Sequence, residues 1–478
     1  MNLLLHFRWL AILPLWLGTL LAAHASHAVG GDISYTSIAA TTAGVPRYHV
    51  TVRFFRDITG VEQPTITLDC NRNGCNATGD NHFRLVLPRS ASSSPYQSLC
   101  APPFSYPVFD VFLYETDVDL PLGQWTLSFN AEYRGSNVQN LVSSEQRSLY
   151  VSACINNTLT TQDTSPRFLT TLVPTLTGNL AQSNSLSAFD SDGDSLVYSL
   201  EYPQEAIKSA NPCGIAIAGT LAPHFQLNPA TGALAASAGA VQQGRYALAA
   251  RVTEYRRLAG SWQAIGYIMR DITYLAVNIT NQPPQFTSFA VGGGTAQPLT
   301  KVVAVRPGQA VSLTLTATDP DTGQRLHFSS EAPGIIPGLS FQTLNATQAQ
   351  LTWQVPAALP PGRYTAVVAV FDDSCPQNGA AELTISFLVT SQVLAAQPAM
   401  GFEAAAFPMP FRAQVQFRAA GAGQAVTVVD ALGRVVAQLN SQADGRVVWQ
   451  PASTLPAGLY VARSADGKLL ARLLRAAE

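Results

Sequence analysis

Charge is what this sequence has least of. Of 478 residues, 28 are Lys or Arg and 30 are Asp or Glu, so charged side chains make up 12% and the formal net charge is −2. The basic surplus that nucleic-acid binding requires is missing. Helical runs rich in Glu, Lys and Leu are missing as well. The seven histidines are scattered. No HExxH, GxSxG or glycine-rich phosphate loop occurs, which removes the commonest metalloprotease, serine-hydrolase and nucleotide-binding signatures. Asp372 and Asp373 are adjacent, and on a strand they would face opposite ways. A carboxylate pair assembled from distant loops, as in glycosidases, is the enzyme alternative; the expectation is a non-catalytic protein.

Long apolar runs are also lacking. The longest, Trp9 to Ala22, falls short of the ~20 residues that span a bilayer. It follows Arg8 and precedes Ala-His-Ala at 23–25, so residues 1–25 read as a secretory signal peptide and the mature chain is expected to carry no transmembrane segment. Cysteine is sparse, with six residues. An even number in an exported chain permits disulfides. The turn sequence NRNG lies between Cys70 and Cys75, which suggests a local pair and would leave Cys100 for Cys154, with Cys213 and Cys375 alone in later regions. A zinc site is the competing reading, although neither a histidine nor a CxxC partner stands near.

Turn formers and apolar residues are what the chain has in quantity: 34 Gly, 31 Pro and 47% hydrophobic residues. That is enough apolar material for several cores, and its pattern has period two. In RYHVTVRFF (47–55), Tyr48, Val50, Val52 and Phe54 alternate with Arg47, His49, Thr51 and Arg53. FDVFLYETDV and WTLSFNAEY alternate in the same way, separated by Pro, Gly, Asn and Ser clusters that mark turns. Trp125 and Trp353 fall on such strands, as stacking platforms for sugars or, more simply, as core residues.

The expected domains are a first β-sandwich over 26–163, a second over 164–282 and a third over 283–392, with NQPPQF (281–286) as a stiff linker between the last two. A final block covers 401–478. The second and third regions read as copies. FDSDGDSLVYS (189–199) matches TDPDTGQRLHFS (318–329), and GRYALAARVTEY (244–255) matches GRYTAVVAVFDD (362–373), with Glu254 and Asp372 each ten positions after the glycine. Repeats of this size with short strands imply tandem sandwiches.

The alternating Asp190, Asp192 and Asp194 pose a calcium question, because calcium takes six to eight oxygens and such a turn can aim several carboxylates at one point. With Glu201 they fit positions 1, 3, 5 and 12 of a helix–loop–helix calcium loop. Position 6, however, is Ser195 and not glycine, and a strand pattern follows, so that reading is rejected. The alternative without a metal is that the acids end strands and cap turns.

The Asp turn, the Leu-x-Tyr-Ser strand after it and FQLNPATGAL (225–234) resemble cadherin-like repeats. That resemblance implies Asp190, Asp192, Asp194 and Glu254 as calcium ligands in region two, and Asp319, Asp321 and Asp372 in region three. The linker NQPPQF lacks the acids of a cadherin junction. SHAVGGDISY (26–35), FFRD (54–57), TEYRR (253–257) and YIMRDI (267–272) resemble a family of exported Bacteroidota surface proteins. FPMPFRAQVQF (407–417), VVDALGRVV (428–436) and LPAGLYVARSADGKLLARLL (455–474) are similar to a type IX secretion-system sorting domain of type A, with Met409 where asparagine is usual; a plain structural domain is the alternative.

Together these readings set the expectations. The fold is all-β: tandem immunoglobulin-like or cadherin-like β-sandwiches in series, with a small C-terminal β-sandwich. The role is adhesion or binding of a glycan or surface partner, outside the cell or on its outer membrane, after export by the type IX machinery acting on 401–478. A structural spacer is the second reading and a polysaccharide hydrolase the third.

Overall fold

The structure, a computed structural model, describes residues 28–74, 79–94, 100, 109–178, 180–207, 213–239, 242–390, 406–419, 421–430, 434–464 and 469–476. The expected signal peptide, Cys75, Gly433 and the segment 391–400 lie outside these residues. The described chain is all-β, with three single-turn 3-10 helices as the only helical elements. No helix among these residues is long and apolar enough to cross a membrane. The described residues fall into two compact units, 28–390 and 406–476.

In the first unit, strands Ala28–Ile38, Arg47–Asp57, Phe109–Asp119, His82–Ser93, Thr65–Arg72, Gln124–Ala131 and Leu149–Asn156 follow one another across a sheet. Both ends of that row, Ala28–Ile38 and Leu149–Asn156, dock on Ser261–Val277, a strand of region two. Region one therefore rolls closed on a strand from its neighbour, and the two regions share one hydrophobic core. The alternation at 47–54 is realised: Tyr48, Val50, Val52 and Phe54 are buried. Trp125 and Trp353 are core residues.

Residues of the VGGDISY motif explain the closure. Gly30 and Gly31 let the first strand approach its neighbours, since a Cβ on Gly30 would lie 2.2 Å from the Asp271 carbonyl oxygen and one on Gly31 2.7 Å from the Phe129 ring. Buried Asp32 pairs with two buried arginines, Arg53 (2.7 Å) and Arg270 (2.7 Å). One strand position on from Arg270, Asp271 receives both ends of the Arg134 guanidinium, with Arg134 Nη1 donating at 2.8 Å. The motif is a set of strand-to-strand clamps.

Regions two and three repeat one immunoglobulin-like topology. In region two, Thr175–Thr177 runs parallel to Ser261–Val277, followed by Gly244–Leu258 and Ser195–Glu201; the facing sheet is Gln182–Ser185, Ala233–Ala236 and Phe225–Leu227. In region three, Val303–Val305 runs parallel to Ala380–Val389, followed by Gly362–Phe371 and His327–Ser329; the facing sheet includes Ala310–Thr318, Gln348–Gln354 and Leu339–Asn345. Each GRY sequence opens the equivalent strand.

The two regions pack through polar as well as apolar contacts. Thr171 donates through its N–H and hydroxyl to Glu331, and Ser185 N–H donates to Glu382 Oε2 at 2.8 Å. Glu382 is 1% exposed and its Oε1 has no partner. Burial, against the opposing pull of its Thr170 and Ser185 hydrogen bonds, pushes its carboxyl up to about 8 from 4.5. Between those values the folded chain holds a proton that the unfolded chain has lost. The stabilisation is complete below pH 4.5 and is lost as pH rises through about 8. Glu382→Gln is expected to flatten the fall in melting temperature across that window; an unchanged slope would remove Glu382 as its source.

Cysteine pairing departs from expectation. Cys100 is bonded to Cys375, 275 residues away, so the disulfide joins region one to region three. Cys70 and Cys154 are free and buried, on strands separated by Gln124–Ala131, and Cys213 is disulfide-bonded. The proposed Cys70–Cys75 and Cys100–Cys154 pairs therefore do not form, and Cys213 and Cys375 are not solitary. Neighbours in sequence are not neighbours in space once the sheets fold back on one another. The NQPPQF linker is also tied down: Gln282 N–H donates to Asp321 Oδ2 at 2.8 Å and Asn281 Nδ2 to Asp372 Oδ2 at 3.0 Å.

The second unit has its own core, including Phe411, Val415, Phe417, Val426, Val428, Val447, Trp449 and Tyr460. A two-stranded sheet, Val415–Arg418 with Arg446–Trp449, faces the four-stranded sheet formed by Val435–Asn440, Ala425–Val429, Gly458–Ser464 and Leu469–Arg475. This is a small β-sandwich.

Candidate metal centre

Five carboxylates converge where region one meets region two: Asp163, Asp190, Asp192, Asp194 and Glu254. Asp163 lies in the segment entering region two. Asp190, Asp192 and Asp194 form the turn between Ala188–Phe189 and Ser195–Glu201. Glu254 and Arg256 come from Gly244–Leu258, where a bulge opposite Glu254 and Tyr255 shifts the register. Gly266 makes room on the facing strand, because a Cβ there would lie 2.1 Å from Glu254 Oε1.

The turn holds itself in shape. Asp190 Oδ1 accepts from the N–H groups of Asp192 (2.9 Å) and Asp194 (3.2 Å), an arrangement that short acidic side chains make readily. One cation serves the group. Arg256 Nη2 lies 2.7 Å from Asp163, 3.0 Å from Asp192 and 2.6 Å from Asp194. Asp194 first, then the other two, hold that guanidinium charged.

The remaining oxygens are poorly served. Tyr35 Oη is 2.7 Å from Glu254 Oε1, 3.1 Å from Asp163 Oδ2 and 3.3 Å from the Cys154 carbonyl, yet a phenol has a single proton to donate. Asp190 Oδ2 and Glu254 Oε2 are buried with no partner. Burial, and then neighbouring carboxylates, push Asp190 up to about 8 and Glu254 well above its usual range. Burial also raises Asp163, to about 6, although Arg256 opposes it. Buried acids with unmatched charge either take up protons or take up a cation. One oxygen each from Asp163, Asp194 and Glu254 lies within 4.8 Å of the other two, a spacing that suits a shared ion. All are hard oxygen donors, the set calcium prefers.

The expected ligands are thus distributed unevenly. Asp194 and Glu254 join the close group, and Asp190 sits beside it with a bare oxygen. Asp192 is engaged by Arg256 and by Thr164 N–H (2.9 Å). Asp163 was not anticipated. Its signal was in the repeat: Thr164 N–H meets Asp192 as Gln282 N–H meets Asp321, so Asp163 stands where Asn281 stands in region three.

Region three makes the same turn with different partners. Asp319 Oδ1 accepts from Asp321 N–H at 2.8 Å, and Asp319 Oδ2 has no partner. Both Asp321 oxygens accept from Gln282, which lowers that carboxyl. Buried Asp372 accepts from Ser374 and Gly379 N–H groups and from Asn281. Amides do there what a cation would do in region two, and among the described residues only the region-two acids form a close group. On the outer side of that group a cleft of about 940 Å³ opens, with Arg47, Asp163, Asp192, Arg256 and Pro360 among its walls.

No family model matches this sequence, and no curated protein is similar enough to count as a relative. Among solved structures, the chain is similar to the tandem Ig repeats of Dlar, at 10% identity over 47% of this chain and 95% of that one, with a TM-score of 0.19. It is similar to the I67–I69 I-band fragment of titin, at 10% identity over 76% and 99%, with a TM-score of 0.15. It is also similar to a Bacteroides ovatus glucan-utilisation protein, SGBP-B, solved with a mixed-linkage heptasaccharide, at 12% identity over 65% and 70%, with a TM-score of 0.14. Scores this low carry no weight for arrangement or role, and the immunoglobulin-like assignment rests on the strand order described above.

Proposed function

We propose that this is a non-catalytic, exported surface protein that binds a glycan or a surface partner, and that a calcium ion stiffens the junction of its first two regions. The observation that carries the calcium part is the pair of buried, partnerless oxygens on Asp190 and Glu254 beside a group with one guanidinium for five carboxylates. Binding is supported by the frame. A shared strand, a long-range disulfide and paired buried ions hold regions one to three together, and clefts open where their loops meet. Outside that group, buried Asp32 pairs with two arginines and buried Asp271 with another.

Calcium at 100 times its dissociation constant would add about 2.7 kcal/mol by mass action. The expected result is a rise of several degrees in melting temperature with millimolar calcium, reversed by chelator and lost in Asp194→Asn. No shift at millimolar calcium would remove the ion from the reading. Glycan-array binding separates a binder from a spacer, which has no saturable ligand, and a polysaccharide hydrolysis screen addresses the enzyme alternative.

The C-terminal sandwich is the part assigned to the type IX machinery, which would carry the chain from the periplasm to the outer surface. Removing 401–478 is expected to leave the protein in the periplasm. Unchanged surface display of the truncated chain would overturn that assignment.

A further inference from the structure

Trp262 stands apart from the other tryptophans among the described residues. Trp125, Trp353 and Trp449 are at most 2% exposed, whereas Trp262 is 62% exposed. It sits just past the turn that joins Gly244–Leu258 to Ser261–Val277. Ala259 and Gly260 occupy that turn at φ 48° and 86°, the successive left-handed pair of a tight hairpin. The indole is therefore carried on a rigid two-stranded arm.

Its surroundings are not plain surface. Trp262 walls a pocket of about 260 Å³ between the Asp turn of region two and the start of Gly362–Phe371 in region three. Asp190, Asp194, Tyr198, Arg363 and Tyr364 are among its other walls. Two of these are locked: Tyr198 Oη accepts from Ala188 N–H at 3.0 Å, and Tyr364 donates to the Pro360 carbonyl at 2.8 Å. Asp190 is 3% exposed, with Oδ2 buried and Oδ1 held by the Asp192 and Asp194 N–H groups, while Arg363 is exposed.

An apolar plate and a guanidinium around one small space suit a ligand with an apolar face and a hydroxylated rim. An anion would meet two carboxylates. The volume is just under the ~300 Å³ at which pockets for drug-sized molecules begin, so it suits a single ring.

We propose that Trp262 and Arg363 form a saccharide pocket, in which one pyranose ring stacks on the indole while its hydroxyls accept from Arg363. This rests on the binding role proposed above and gives it a site and a ligand class.

The test uses the full mature chain. Neutral oligosaccharides of glucose, galactose, mannose and N-acetylglucosamine are titrated by calorimetry and tryptophan fluorescence, alongside a glycan array. The expected result is saturable binding that Trp262→Ala weakens about tenfold or more with the melting temperature unchanged. Trp262→Phe retains part of the affinity, and Arg363→Ala weakens binding several-fold. Val86→Ser, at an exposed apolar position in region one, has no effect. If the wild type binds and Trp262→Ala binds equally well, the pocket is wrong and the binding role stands. If the wild type binds no sugar in either format, the pocket and glycan recognition both fall.

Discussion

Replacing Asp32 by alanine is expected to lower the unfolding free energy of the N-terminal unit by about 3–5 kcal/mol, the usual range for breaking a buried ion pair from one side. Asp32 is 1% exposed and lies 2.7 Å from each of Arg53 and Arg270, which are themselves 4% and 1% exposed. Burial by itself would raise the Asp32 carboxyl, but the two guanidiniums outweigh it and hold it below its ordinary range. Its contribution is therefore present above the ordinary carboxylate range and is lost as pH falls through the lowered value. Without it, two buried guanidiniums face each other with no anion. Burial has already pushed Arg270 down to about 10. Asp32→Asn keeps the volume and removes the charge, so it separates lost charge from lost packing. Denaturant melts should show lower midpoints at unchanged slope for both variants. Midpoints at the wild-type value would mean that this pair does not hold region one to region two.

The double variant Cys100→Ser, Cys375→Ser is expected to lose about 2–5 kcal/mol. The bond spans 275 residues, and a closed loop of that length removes much of the freedom of the unfolded chain. It also fastens the 372–379 loop, where Asp372 accepts from the Ser374 and Gly379 N–H groups. Protease cleavage in that loop should rise in the variant and in reduced wild-type protein. Non-reducing peptide mapping should recover a Cys100–Cys375 peptide. A midpoint equal to that of the wild type would show that the crosslink adds nothing to stability.

How much of the candidate metal centre is legible in the sequence follows from which of its features are local. The Asp190–Asp194 turn is local. Its shape comes from side chains bonding backbone two and four residues on, so alternating aspartates announce it. Glu254 is implied by the cadherin-like resemblance, and the repeat places an acid at the same point after each GRY. Asp163 lies outside the repeated motifs, and only its neighbour's contact with Asp192 marks it as the counterpart of Asn281. Arg256 lies within the TEYRR motif, and nothing local to that motif marks it as the cation that Asp163, Asp192 and Asp194 share. The seven acids looked alike, yet amides from Asn281, Gln282 and the 374–379 backbone satisfy two of the three in region three, and nothing comparable reaches Glu254 Oε2.

The all-β class, the turns and the kinship of regions two and three are properties of the sequence alone, because period two, Gly and Pro placement and repeated motifs act over a few residues. Which cysteines bond, which strand closes region one and which oxygens go without partners were decided only in three dimensions. Those outcomes depend on groups brought together across tens to hundreds of residues, and the alternation that builds a strand says nothing about which strand will lie beside it.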